Sequence, residues 1–245
     1  MSFVIVKTGD TVPSIRERRG DFEQWIASGM QLDLAQLVVA DVSRGAVLPD
    51  PRAPRGVVVT GSSSMVTERE PWSEATAGWL RAAVAGGTPV LGICYGHQLL
   101  AQALGGRVDF NPRGREIGTV VVRLRPEARE DPLLGLLRED VLFHATHQQS
   151  VVALPPGVRW LGSTPDDPHH AFAVGASAWG VQFHPEFDAD IMRGYLVARR
   201  ESVAGEGIDV DARLADVREA PEGPRLLRRF RALAEAARSA AGSAR

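Results

Sequence analysis

The chain has 245 residues, of which 44% are hydrophobic, and its 28 basic and 30 acidic residues give a formal net charge of −2. A balance so near neutrality, without long blocks of one sign, argues against nucleic-acid and membrane-surface proteins. No apolar run approaches the roughly 20 residues that span a bilayer, and the N-terminus lacks a signal-peptide pattern. We therefore expect a globular protein of the cytoplasm.

The first half of the chain alternates short apolar runs with helical segments. The apolar runs are too short and too uniformly apolar for half-exposed strands. They predict buried strands at residues 3–6, 36–42, 56–60 and 89–93. Helices are predicted at 20–30 and 70–87, the second with Pro71 near its first position and Gly86 at its end. This alternation indicates an open α/β sheet with parallel strands.

Closely spaced strand patterns follow in the second half, and the turn residues between them favour antiparallel pairing. These strands are predicted at residues 118–124, 141–147, 150–154, 158–163, 171–175 and 178–183. The predicted fold class is therefore α/β, with an open, mixed and mostly parallel sheet flanked by helices.

The pattern changes again after residue 204. The last segment is rich in alanine and arginine, and its large apolar residues recur at helical spacing: Leu226, Leu227, Phe230 and Leu233. We predict one domain over residues 1–204, followed by a linker and a C-terminal helix over residues 205–245. That helix is a candidate docking element for a partner, unless its apolar side packs on its own domain.

Cys94 is the only cysteine of the chain, and it stands between a predicted strand and a predicted helix in the segment GICYG. The flanking Gly92 and Gly96 permit the sharp strand-to-helix turn that exposes a nucleophile. A thiol at a helix N-terminus has a lowered pKa, because unpaired N–H groups stabilise the thiolate. A lone cysteine can also be a small buried hydrophobe, but the two glycines favour a nucleophile.

His184 and Glu186 follow the last predicted strand in the segment GVQFHPE. Pro185 disfavours helix at His184, and positions i and i+2 of an extended chain point to the same side. Glu186 can therefore fix the tautomer of the imidazole and leave the other ring nitrogen for a thiol. A surface turn is the alternative for this segment alone. Together with Cys94, the segment favours a Cys-His-Glu triad.

GICYGHQ and GVQFHPE resemble the two signature segments of class I glutamine amidotransferases, a family that includes the glutaminase domain of GMP synthetase. The resemblance spans roughly residues 40–190 and implies a flavodoxin-like α/β fold. It also implies that Cys94 attacks the side-chain amide of glutamine, that His184 moves the proton and that Glu186 orients His184. Ammonia then leaves, and water releases glutamate from a γ-glutamyl thioester.

The resemblance further implies an oxyanion hole made of backbone amides. Gly61 and Ser62 fall where the family has a Gly-Gly-Pro loop, although serines replace the second glycine and the proline in this chain. The second amide is that of Tyr95, which follows the nucleophile.

The resemblance assigns substrate contacts to three glutamines. Gln98 matches the family glutamine that helps to hold the substrate. HATHQQSV corresponds to the family segment Ser-His-x-Asp-x-Val, which makes the backbone at Gln148 and Gln149 a candidate contact for the α-amino and carboxylate groups. His147 in the same segment is then structural.

We predict neither a metal nor a cofactor. Lysine occurs once, at Lys7, outside any Gly-Lys-Ser/Thr pattern, which disfavours nucleotide hydrolysis through a phosphate-binding loop.

The sequence does not identify the acceptor of the ammonia, because the chain has no room for a synthase domain. Either a separate synthase subunit receives the ammonia, or the protein is a stand-alone γ-glutamyl hydrolase or peptidase. An α/β-hydrolase with a cysteine nucleophile is disfavoured, because that fold usually separates its acid from its histidine by a long interval. A catalytically silent regulatory or binding module is the last alternative, and the joint presence of Cys94, His184 and Glu186 argues against it.

Overall fold

The first half of the chain forms the parallel side of a mixed sheet. The computed structural model describes residues 2–243, and the side chains of residues 2–237. Its first four strands pair in parallel in the order β2-β1-β3-β4, and each lies within one residue of its predicted bounds. They are β1 (Phe3–Lys7), β2 (Leu37–Asp41), β3 (Val57–Val59) and β4 (Val90–Ile93).

The second half completes this sheet with mostly antiparallel strands. They are β5 (Arg107–Phe110), β6 (Glu116–Leu124), β7 (Asp140–His147), β8 (Gln149–Ala153), β9 (Arg159–Ser163), β10 (Ala171–Val174) and β11 (Ala178–Val181). Over the described residues, the main sheet has nine strands in the order β2-β1-β3-β4-β11-β10-β9-β6-β7. The predicted mixed sheet is confirmed. The strand β8 pairs instead with β5, which the sequence analysis did not predict, in a small separate sheet.

Helices cover both faces of the main sheet. They are α1 (Pro13–Arg19), α2 (Phe22–Met30), α3 (Pro71–Ala85), α4 (Tyr95–Ala103), α5 (Ala189–Ala198), α6 (Arg200–Gly205), α7 (Val210–Ala215) and α8 (Glu222–Ser243). The helix predicted at 20–30 begins two residues later, because Asp21 and Gln24 form a capping box at its start. Within the described part of the chain, no helix is long and apolar enough to cross a membrane.

The C-terminal helix α8 packs on its own domain. Leu226, Leu227 and Phe230 are at most 1% exposed and belong to the same apolar core as β1 and α2. The Trp179 ring of β11 meets the Phe230 ring edge to face at 6.2 Å. Residues 205–221 lead to this helix through the short α7. The division of the chain at residue 204 stays a prediction.

Lys7 ends β1 inside a cluster of carboxylates. Its ammonium lies 2.9 Å from a carboxylate oxygen of each of Asp10, Asp21 and Glu23, and the residue is only 6% exposed. Burial lowers the pKa of Lys7, but the three carboxylates outweigh burial and hold the pKa above its usual range. The single lysine is thus a buried structural cation that joins β1 to α2.

Candidate active site

Cys94 occupies a strained turn between β4 and α4. Its φ of 51° and ψ of −103° lie in a region that L-residues rarely adopt, at a cost of about 1–3 kcal/mol. The neighbouring glycines make the turn possible. A Cβ atom on Gly92 would lie 2.4 Å from the Gly96 carbonyl oxygen, and one on Gly96 would lie 2.5 Å from the Val59 oxygen. The predicted sharp bend is therefore present, with the thiol at the start of a helix.

His184 reaches the same edge of the sheet from the neighbouring strand. β11 pairs in parallel with β4, so the segments after both strands meet beyond their carboxyl ends. The Nδ1 of His184 lies 2.7 Å from Oε1 of Glu186, and both side chains are at most 2% exposed. The other nitrogen, Nε2, is buried and has no hydrogen-bond partner among the described residues. The Glu186 carboxylate therefore fixes a tautomer that leaves Nε2 available.

Gly61 links the histidine to the cysteine. A Cβ atom built on Gly61 would lie 3.0 Å from Cε1 of His184 and 3.7 Å from Cβ of Cys94. The loop after β3 thus lies directly against both side chains. Only a residue without a side chain fits there without displacing the imidazole.

Electrostatics at this site favour an ion pair. Burial raises the pKa of the Cys94 thiol, but the charge and hydrogen bond of His184 and the charge of His147 together outweigh burial and bring the pKa below its ordinary value. Burial lowers the pKa of His184, but the charges of Glu186 and Cys94 raise it to about 10. Both shifts favour a thiolate beside an imidazolium, the reactive form of a cysteine nucleophile.

A cleft that opens to solvent leads to the thiol, with about 590 Å³ of atom-free space when the solvent at its mouth is included. Most of the predicted site residues line it: Ser62, Cys94, Tyr95, Gln98, Gln148, Gln149 and His184. Glu186 is not part of the lining, because it lies behind His184. The fold therefore gathers the predicted residues from the ends of β3, β4, β7 and β11 around one cavity.

Two of the predicted oxyanion residues, Ser62 and Tyr95, line this cleft, and Gly61 does not. Tyr95 is the first residue of α4, where backbone N–H groups have no intrahelical partner. Its hydroxyl contacts the Ser73 hydroxyl at 2.6 Å inside the domain, so only its backbone remains for a substrate. The Ser62 hydroxyl donates to the Thr8 carbonyl at 2.8 Å and accepts from the Ser64 amide at 3.1 Å. These bonds fix the serine-rich loop in place.

The three predicted substrate glutamines have different partners. Gln98 donates from Nε2 to the Gln149 carbonyl at 2.7 Å and to Oε1 of Gln182 at 3.0 Å. Both hydrogens of this amide nitrogen are thereby engaged. Gln149 is buried and its side chain bonds to Thr67. Gln148 lies nearer the mouth and donates to Glu206 at 3.0 Å.

A buried ionic group supports the wall behind these glutamines. The Oε2 atom of Glu116 lies 2.9 Å from Nε2 of His147 and 2.6 Å from Nε2 of His170. The Nδ1 of His147 lies 2.9 Å from the Gln149 carbonyl, which can only accept. Burial opposes an imidazolium, yet Glu116 raises the pKa of His147. The donor atoms of the three residues lie close enough to hold a metal ion, but here they bond to one another.

Sequence reasoning missed several polar residues of the cleft, among them Asp10, Arg115 and Arg199. Asp10 follows β1 at the carboxyl edge of a parallel sheet, which is where ligand sites of such sheets lie, so its position carried a usable signal. Arg115 and Arg199 carried no such signal. All 28 basic residues except Lys7 are arginines, so the sequence does not distinguish these two from the others.

The chain is similar to several known proteins. The family model described as glutamine amidotransferase class-I matches residues 27–200. A glutamine-hydrolyzing GMP synthase of Thermus thermophilus is 45% identical over 101 residues, which is 41% of this chain and 19% of that protein. The corresponding enzyme of Prochlorococcus marinus is 38% identical over 138 residues, 55% of this chain and 24% of that protein. The chain thus spans about a quarter or less of these two relatives.

Solved structures share the fold over nearly the whole chain. A glutamine amidotransferase from Thermotoga maritima superposes with a TM-score of 0.71 at 21% identity, covering 96% of this chain and 97% of that one. One from Methylobacillus flagellatus superposes with a TM-score of 0.73 at 22% identity, covering 96% and 94%. At these identities the similarity establishes the fold.

Proposed function

This chain belongs to the class I glutamine amidotransferase family, and we propose that it hydrolyses the side-chain amide of glutamine through Cys94, His184 and Glu186. The observation that carries the proposal is the 2.7 Å contact of His184 with Glu186, with the free Nε2 beside a cysteine in a strained turn. This contact supports an orienting role for Glu186 and a proton-carrying role for His184.

The reaction follows from these states. The Cys94 thiolate attacks the amide carbon, and the carbonyl oxygen becomes an oxyanion held by backbone N–H groups of Tyr95 and of the loop at Gly61 and Ser62. His184 gives its proton to the leaving nitrogen, the C–N bond breaks and ammonia departs. The γ-glutamyl thioester that remains is hydrolysed by water, from which neutral His184 takes a proton. Glutamate leaves and the thiolate is restored.

The ammonia then passes to a separate synthase in this proposal. The similar GMP synthases, described as glutamine-hydrolyzing, are at least four times as long as the matched segment, so the acceptor lies on another polypeptide or domain. A stand-alone γ-glutamyl hydrolase is the second candidate. The polar side chains that line the cleft, among them Arg115, Gln148 and Arg199, favour it, since they offer partners to a leaving amine that carries polar groups.

The decisive test is hydrolysis by the purified protein. Glutamine and a γ-glutamyl dipeptide are offered separately, and release of ammonia, amino acid and glutamate is measured. A glutamine-like diazoketone should add one equivalent of mass at Cys94 and abolish the activity. Labelling that persists in Cys94→Ser, or activity that survives in it, would refute the proposed nucleophile. Release of ammonia from glutamine supports the first candidate, and preference for the dipeptide supports the second.

A further inference from the structure

His147 stands beside Glu116 at the wall of the cleft that leads to Cys94. The two residues lie directly opposite each other in the antiparallel pair of β6 and β7, which brings their side chains together. His147 is 5% exposed, and it lines the cleft together with Cys94. The Cys94 sulfur lies 3.9 Å from the carbonyl oxygen of Thr146, the residue before His147. The histidine and the thiol therefore share one buried environment.

Hydrogen bonds determine the charge of His147. Its Nε2 lies 2.9 Å from a carboxylate oxygen of Glu116, and its Nδ1 lies 2.9 Å from the Gln149 carbonyl oxygen. Burial raises the pKa of Glu116, but His170 and His147 bring it well below its usual range, so the carboxylate is ionised. A carbonyl and an ionised carboxylate can only accept, so both ring nitrogens carry a proton. His147 is therefore an imidazolium.

The second histidine at this carboxylate does not compete for the charge. Nε2 of His170 donates to the same Glu116 oxygen at 2.6 Å, but its Nδ1 is buried without a hydrogen-bond partner among the described residues. A proton on that nitrogen would leave a buried donor unsatisfied. His170 thus fixes the carboxylate, and the positive charge stays on His147, which has an acceptor at each nitrogen.

Electrostatics couple this imidazolium to the nucleophile. Burial lowers the pKa of His147, but Glu116, Asp167 and the Cys94 thiolate raise it above its ordinary value. In the described part of the chain, the ionisable groups around His147 come from β6, from α4 and the turn before it, and from the loop before β10: Glu116, Cys94, His97, Asp167 and His170. The coupling is mutual, since the charge of His147 acts with that of His184, against burial, to lower the pKa of Cys94.

We propose that Glu116 keeps His147 protonated so that this second cation, together with His184, stabilises the Cys94 thiolate. Neither Glu116 nor His147 bonds to Cys94 in the residues that the structure describes, so both are positioning residues that act through charge. The inference rests on the proposed function only in taking the thiolate as the nucleophile. It gives His147, which the sequence analysis assigns to structure, a part in the reactivity of the thiol.

The rate of thiol alkylation tests the proposal without a substrate. Iodoacetamide labelling of Cys94, the only cysteine, is followed by intact mass from pH 4.5 to 9.5, and the profile gives the pKa of the thiol. Glu116→Gln should raise that pKa by about 1, a usual size for the loss of a nearby charge. Labelling below the pKa should then slow by about three- to tenfold. The sign is diagnostic, because a carboxylate that acted directly on the thiol would lower the pKa of the thiol when removed.

Two further variants locate the effect. His147→Gln should raise the pKa of the thiol at least as much as Glu116→Gln, because it removes the cation and leaves the carboxylate. The double variant should match Glu116→Gln, because without the carboxylate His147 is already uncharged. His169→Gln is the matched control and should keep the wild-type profile, because His169 bonds to the Val151 carbonyl and does not line this cleft.

An unchanged or lowered pKa of the thiol in folded Glu116→Gln overturns the proposal, with thermal melting as the check of folding. If that variant does not fold, nitrogen-15 NMR of the wild type decides. Both ring nitrogens of His147 should be protonated at pH 7, where an ordinary histidine with a pKa near 6.5 is mostly neutral, and a neutral ring overturns the proposal equally. Protein whose thiol responds as expected but which hydrolyses no amide refutes the proposed function alone.

Discussion

Replacing Glu186 by glutamine tests the proposed orienting role of one charge. The side chain is buried, its Oε1 accepts from His184 at 2.7 Å, and its Oε2 has no partner among the described residues. Glutamine has nearly the same shape, so the fold should survive. The substitution removes the negative charge that holds His184 in its protonated form.

The size of the effect follows from the bond that is lost. A hydrogen bond to a charged group contributes about 1.5–3 kcal/mol, which corresponds to roughly 10- to 100-fold in kcat/KM at 1.36 kcal/mol per factor of ten. His184→Ala removes proton transfer itself, which contributes about 10²- to 10⁴-fold. Glu186→Gln should therefore reduce turnover less than His184→Ala does.

The pH profile gives a second, independent measure. The pKa of His184 is about 10 against an ordinary 6.5, so the alkaline limb of kcat/KM should lie well above neutrality and move to lower pH in Glu186→Gln. A raised histidine pKa stabilises the fold below pH 6.5, and this contribution disappears as the pH rises to about 10. The difference in unfolding free energy between wild type and variant should shrink over the same interval.

Steady-state hydrolysis assays from pH 5 to 10.5 and denaturant unfolding of each variant provide these data. The orienting role would be wrong if Glu186→Gln lost as much activity as His184→Ala while keeping the wild-type alkaline limb. Loss of cooperative unfolding in Glu186→Gln would assign the residue to folding instead.

Three other substitutions test separate parts of the structure. Gly61→Ala places a methyl group 3.0 Å from the His184 ring, so labelling of the thiol and hydrolysis should both fall about tenfold or more with an unchanged melting temperature. Glu116→Gln removes a carboxylate whose pKa is raised by burial but lowered, on balance, by His147 and His170. The resulting loss of stability should be greatest between pH 4.5 and 6.5, where Glu116 is ionised and His147 is protonated even in the unfolded chain. A pH-independent loss in urea titrations would contradict the ion pair. Phe230→Ala should destabilise the domain by about 3–5 kcal/mol, seen as a lower melting temperature, whereas an unchanged melting temperature would mean that α8 is not part of the core.

Much of the site was predictable because local chemistry specifies it. Two glycines around one cysteine dictate the turn at Cys94, and the spacing of His184 and Glu186 across a proline is sufficient to bring the two side chains together. The parallel strands were predictable for a similar reason, since buried runs such as 90–93 carry an unbroken apolar pattern.

The remainder depends on contacts between distant segments. Arg115 is 91 residues from Glu206, and nothing in either segment signals the pairing. Helix α1 is short and carries one buried residue, Ile15, so it lacks the periodic apolar face from which helices are inferred. The pairing of β8 with β5 instead of the main sheet is likewise a matter of topology, which strand patterns do not specify.

The burial of Lys7 has a practical consequence for identifying an ammonia acceptor. Because this is the only lysine in the sequence and its ammonium is enclosed by three carboxylates, its amine is neither deprotonated nor accessible to succinimidyl reagents. Cross-linking through a lysine side chain of this protein would therefore miss a bound synthase even when the complex is present. Carboxyl-directed or photoactivated cross-linkers are suited to this surface, which carries exposed acidic residues such as Glu139 and Asp211.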